Sequence, residues 1–128
     1  SLNMLTVNAL VGADGLMIPT QCEYYALEGL SALLETMKKI KRVLNPKLEI
    51  DGVLRTMFDS RNNLAREVSG QLMAHFGEKV YRTIIPRNVR LAEAPSHGIP
   101  VLMYDSSSAG SLAYLSLAGE MLRSKNNA

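Results

Sequence analysis

The 128 residues include a single cysteine, Cys22, so no intrachain disulfide can staple the chain, and a reducing compartment suits it. No apolar run approaches the ~20 residues that a membrane-spanning helix needs. The opening SLNMLTVNAL has neither an initiator methionine nor the basic-then-apolar layout of a signal peptide. Charge of one sign is also scarce. Fourteen Lys and Arg against 12 Asp and Glu leave a formal +2, too little to argue for a polyanionic partner from average charge. His75 and His97 have no second ligand at metal spacing, so the pattern calls for no bound metal. A glycine-rich phosphate loop ending in Gly-Lys-Ser/Thr is missing as well.

What remains is an ordinary globular composition, 47% apolar and 20% charged, which excludes disorder as a description of the whole. The length suits one domain over residues 1–128, with 123–128 read as a frayed polar tail. Ser1 stands directly before an apolar periodic run, which reads as a piece of a longer chain.

Two periodicities alternate. Leu2, Leu5, Ala9 and Leu10 recur at helical spacing up to Gly12, and Gly15–Pro19 is a short apolar run that reads as a buried strand. Leu27, Leu30, Leu33, Leu34, Met37 and Ile40 stripe a long helix from Tyr24 to Leu44. Its last turns carry Lys38, Lys39, Lys41 and Arg42 as a solvated basic end, and Asn45-Pro46 stops it. A strand over Ile50–Phe58, a helix over Asn62–Phe76, a strand over Val80–Ile85 and a short helix over Asn88–Ala94 follow. Val101–Tyr104 is expected to be a fourth strand and Gly110–Leu122 the last helix. This alternation implies right-handed crossovers and a three-layer α/β unit, its four mostly parallel strands covered by helices on both faces.

In such sheets ligands gather beyond the carboxyl ends of the strands. Four segments qualify: Pro19–Glu23, Thr56–Arg61, Pro86–Arg90 and Asp105–Ser107. The third is the densest, since Asn88 can read the edge of a base such as adenine and the arginines suit phosphate oxygens. The other chemistry-bearing residues read as structural: Cys22 as a packed thiol, Tyr24 and Tyr25 as helix-entry packing, the seven methionines as core filler.

The strings TVNAL, IPTQCEYYALEGL, TMFDSRNNL and VYRTIIPRNVRLAEAPSHGIPVLMYD closely resemble the C-terminal half of ParA/Soj-type chromosome- and plasmid-partitioning ATPases, from about Leu2 to Leu122. IPRNVRLAEAPSHG is the most specific of them. The resemblance implies part of a deviant Walker P-loop NTPase fold. It also implies ATP with Mg²⁺ and a homodimer in the longer protein, non-specific DNA binding, a ParB-type partner, no membrane, and a cytoplasmic, nucleoid-associated location. By the same resemblance Met57, Pro86, Arg87 and Asn88 border the nucleotide base, and Arg61, Arg87 and Arg90 face DNA. Without the phosphate loop and the Walker B aspartate, these 128 residues are expected to bind no nucleotide and hydrolyse no ATP by themselves. Where the family carries a Pro-Arg-Ser-basic-Gly stretch, this chain has Ser106-Ser107-Ser108-Ala109-Gly110, which removes two cations from that loop.

Two other readings stand beside this one. The first is the membrane-associated MinD-like branch, against which the end Gly119–Lys125 is short and weakly amphipathic. The second is a non-catalytic interaction module. A consequence of the family topology is that Gly15–Pro19 becomes an unpaired edge beside uncovered apolar surface, so that the chain self-associates.

Overall fold

A computed structural model describes residues 3–126. The expectations placed on Ser1 and Leu2, and on the last two residues of the tail, lie outside that range. The chain order is α1 (Met4–Gly12), β1 (Gly15–Gln21), α2 (Ala26–Val43), β2 (Glu49–Phe58), α3 (Asn63–Phe76), β3 (Val80–Pro86), α4 (Val89–Glu93), α5 (Val101–Tyr104) and α6 (Ala109–Asn126). A 3₁₀ turn over Gly77–Lys79 leads into β3, and a second over Ala94–His97 follows α4.

Three helices begin at an asparagine whose side chain takes an otherwise orphaned amide. Asn3 accepts from Thr6 N, Asn62 from Ala65 N and Asn88 from Leu91 N. The residue before the proline that stops α2 has a further use. Asn45 Nδ2 donates to the carbonyls of Leu10 and Ala13 at 3.0 and 2.8 Å, tying the end of α1 to the end of α2.

The strands form one parallel sheet in the order β1-β2-β3. Side-chain alternation sends Ile18, Val53 and Val80 to the face covered by α2 and α3, where they pack with Leu30, Val68 and Leu72. Leu54, Tyr81 and Ile85 go to the opposite face, against Leu117 of α6. A third cluster of Leu10, Met37, Ile40 and Leu48 seats α1 on α2. The three layers are those the sequence predicts.

The number of strands is not. Val101–Tyr104 is a helical turn, and the sheet has three strands among the described residues. A four-residue apolar run has no period that separates strand from helix, so its boundaries decide. Pro100 caps the turn, Asp105 N donates to the Val101 carbonyl at 2.8 Å, and the single hydroxyl proton of buried Ser111 is within reach of the Asp105 carbonyl at 2.6 Å and the Val101 carbonyl at 3.0 Å. Those backbone groups are therefore satisfied locally, and no strand partner is needed. Asp105–Ser107 is accordingly a link between two helices and not a strand end. The last helix runs to Asn126, past the predicted Leu122.

Register is irregular at the central strand. β3 advances from Val80 to Ile84 while β2 advances from Val53 to Arg55, and β2 then runs one residue long before Phe58 meets Pro86. Met57 lies in that second bulge with φ 49°, the only non-glycine residue at positive φ among those described. Among the described residues β1 has a strand on one side only, and Met4 and Leu5 of α1 stand largely exposed. Leu72 is fully buried between α3 and the sheet, so Leu72→Ala should cost about 2–5 kcal/mol, read as a lower urea midpoint at unchanged slope.

Candidate functional site

The carboxyl ends of β2 and β3 open into two adjoining clefts that share Met57 and Arg87. The first, about 500 Å³, lies toward α4 and α6 and is mostly apolar; Met57, Pro86, Asn88, Val89, Leu91 and Tyr114 are in its walls. The second, about 350 Å³, lies toward α3 and is polar, with Gln21, Cys22, Asp59 and Asn62 around it. A larger hollow of about 1020 Å³ runs along the outer edge of β3 between α3 and α6, away from these strand ends.

All four residues expected at a nucleotide base, Met57, Pro86, Arg87 and Asn88, line the apolar cleft together. Local geometry accounts for this. The bulge at positive φ turns Met57 out of the β2 alternation, and its side chain is 44% exposed in the cleft wall. A non-glycine residue in that conformation stores strain of order 1–3 kcal/mol, which tends to collect where a chain must present a side chain to a ligand. Arg87 N donates to the Phe58 carbonyl at 3.0 Å and so continues the β2–β3 contact past Pro86.

Asn88 is more constrained than its chemistry alone suggests. Its Oδ1 caps α4 by accepting from Leu91 N at 3.3 Å. The amide NH₂ stays clear of that cap, so Asn88 can address a ligand with two donors, while the cap takes one of the two lone pairs on Oδ1. α6 starts close against this cap. A Cβ on Gly110 would run into the Leu91 side chain and come within 3.0 Å of Asn88 Oδ1. Glycine is thus what lets the first turn of α6 approach and bring Tyr114 to the cleft.

The three arginines expected to face DNA differ in their surroundings. Arg61 is highly exposed but forks onto Asp59, with Nε to Oδ1 at 3.0 Å and Nη2 to Oδ2 at 3.1 Å. That hydrogen bond, with a backbone bond from Arg61 N and the nearby charges of Arg61 and Arg87, holds the Asp59 carboxyl below its ordinary range. Arg87 is exposed and has no ion-pair partner among the described residues. Arg90 is held twice, by Glu93 at 2.9 Å and by Asp105 at 3.3 Å, and thereby links α4 to the turn before α6. Arg61 and Arg87 flank Asp59 at the strand ends, whereas Arg90 is anchored among carboxylates of its own.

Cys22 is partly buried, and burial pushes its thiol up, which fits the inert reading. His97 stacks on Tyr104 at 4.8 Å between ring centres. Sequence patterns alone did not single out Tyr114 as a wall of the cleft, because its place depends on the close start of α6 at Gly110. No described helix is long and apolar enough to cross a membrane.

Asn88→Ala should remove one cap and cost about 1 kcal/mol, while Asn88→Ser should recover most of it. Thermal denaturation of the two variants checks this. An equal loss in both would mean that the cap is not what Asn88 supplies.

Comparison with known proteins gives a consistent set of likenesses. Residues 1–50 match the family described as an AAA domain. The chain is 56% identical, over 95% of its own length and 46% of the other's, to the chromosome partitioning protein ParA of Caulobacter vibrioides. It is 54% identical, over 94% of its length and 48% of the other's, to the sporulation initiation inhibitor protein Soj of Bacillus subtilis. The chain therefore spans about half the length of the curated relatives it matches. Among solved structures, cobyrinic acid a,c-diamide synthase from Mycobacterium smegmatis, with bound ATP analogue and magnesium, superposes with a TM-score of 0.74. That match has 32% identity and covers 96% of this chain and 44% of the synthase.

Proposed function

Starting from a chain that is of the ParA/Soj partitioning type in sequence, we propose that it supplies the base-side wall of an ATP site and a phosphate-directed DNA face to a longer partitioning ATPase. The observation that carries this reading is the convergence of Met57, Pro86, Arg87 and Asn88 on one apolar cleft at the strand ends. An adenine ring fits such walls, with Pro86, Val89 and Leu91 as apolar surface and the Asn88 NH₂ as the polar group that orients the base. Phosphates and Mg²⁺ fall, on this reading, to segments outside these 128 residues, and no residue here is assigned to them. The solved relative with ATP analogue and magnesium supports nucleotide chemistry in the shared fold.

The DNA half rests on charge placement. Arg87 lies near Asp59 but forms no ion pair among the described residues, and Arg61 uses two of its five N–H donors in the side-chain fork to Asp59 and keeps the rest for a phosphate. Arg90, with its charge shared between Glu93 and Asp105, stands at the flank of that face. Such contacts are blind to sequence and steep in salt. A few arginines per subunit hold DNA weakly, so ATP-dependent dimerisation, a ParB-type partner and a cytoplasmic, nucleoid-associated location complete the proposal.

DNA retention by the full-length protein across a salt series, with and without ATP, tests it. Arg61→Ala and Arg87→Ala should each weaken ATP-dependent retention and flatten the salt slope by about one. Unchanged retention in both would make these arginines structural and remove the DNA half of the reading.

A further inference from the structure

β3 is an outer strand, so one row of its backbone groups meets no other strand. Where β3 runs long against β2, side chains take up two successive peptide groups instead. Arg55 Nη2 donates to the Tyr81 carbonyl at 2.8 Å and to the Arg82 carbonyl at 3.4 Å. The nitrogens of those same two peptide groups, Arg82 N and Thr83 N, donate to Glu120 Oε2 at 2.7 Å and Oε1 at 2.9 Å. A guanidinium sits at the carbonyl end of both peptides, and a carboxylate sits at the amide end.

Arg55 needs such an arrangement. It is 7% exposed, on the sheet face that carries Val53, and no carboxylate among the described residues pairs with it directly. Its remaining side-chain partner is the Ser69 hydroxyl at 3.0 Å, and Nε has none. A buried guanidinium without compensating charge is strongly destabilising. Glu120 lies on α6, the helix that covers the other face of the sheet and carries Tyr114 to the apolar cleft.

We propose that Arg55 and Glu120 act as one ion pair transmitted through the Tyr81–Arg82 and Arg82–Thr83 peptide groups, and that this unit fixes the β3 bulge and seats α6 against the sheet. Each charge orients and polarises the intervening peptides in the sense that favours the other. The unit also consumes the two amides that a foreign strand would pair with at this edge, which is a way to blunt it. Arg55 and Glu120 are thus positioning residues for the cleft wall on α6. Burial works against the Glu120 carboxylate, but the Thr83 and Arg82 amides, the Thr83 side chain and Arg123 outweigh it, and its carboxyl lies below the ordinary range.

The test uses the full-length protein labelled at glutamate carboxyls, with Arg55→Met, Arg55→Lys, Glu120→Gln and the Arg55→Met/Glu120→Gln double variant. The other titratable groups that face Glu120 are Arg123 on α6 and Tyr81 on β3, and both are left in place. In Arg55→Met the Glu120 midpoint should rise and the amide protons of Arg82 and Thr83 should move upfield, although Arg55 touches neither amide. Arg55→Lys should restore much of both. In chemical unfolding the double variant should fall short of the product of the two single effects by about tenfold. If Arg55→Met does not fold, Glu120→Gln serves instead: slow exchange of the Arg55 Nη protons should be lost. An unmoved Glu120 midpoint, multiplicative single effects or retained Nη protection would overturn the proposal.

Discussion

The structure depends on β2 being paired along both edges and covered on both faces. A strand in that position must be apolar toward α2 and α3 through Val53 and apolar toward α6 through Leu54, and both residues are almost wholly buried. Parallel pairing then brings the carboxyl ends of β1, β2 and β3 to one side, so the polar residues just beyond them converge. Everything assigned to the candidate site lies on that side: the Met57 bulge, the Asp59–Arg61 fork, the Pro86–Asn88 entry into α4, and the first turns of α6.

Fit at the site comes from two departures from ideal sheet geometry. One bulge gives β3 extra residues opposite Arg55, and the next gives β2 an extra residue at Met57. The first creates backbone groups that need side-chain partners, which Arg55 and Glu120 provide. The second turns a methionine into the cleft. Regular strands would have kept Met57 in the pleat and left Arg55 with the Ser69 hydroxyl in place of two further backbone acceptors.

Much of this was legible in the sequence because it rests on local rules. The helices beginning near Asn62 and Asn88, the Asn45-Pro46 stop and the apolar runs of the three strands follow from residue chemistry, and the gathering of Met57 with Pro86–Asn88 follows from the family motif. The helical turn at Val101–Tyr104 was not legible, because four apolar residues carry no period and the hydroxyl that closes the turn comes from Ser111, in the first turn of the next helix. The burial of Arg55 and the use of Glu120 were not legible either. Both depend on a register slip between strands far apart in the chain, and no residue pattern within either strand announces it. The ion pairs of Arg61 and Arg90 were not legible for a different reason: composition marks the cations but not which neighbouring carboxylates fold against them.

The central claim is that the apolar cleft between β2, β3, α4 and α6 holds the base of a nucleotide. Photoaffinity labelling of the full-length protein with a base-substituted azido-ATP, followed by peptide mapping, tests it most directly. The account predicts that label falls on the segments containing Met57 and Pro86–Ala92 and is displaced by excess ATP. Displaceable label confined to segments outside these, with none on either, would contradict it.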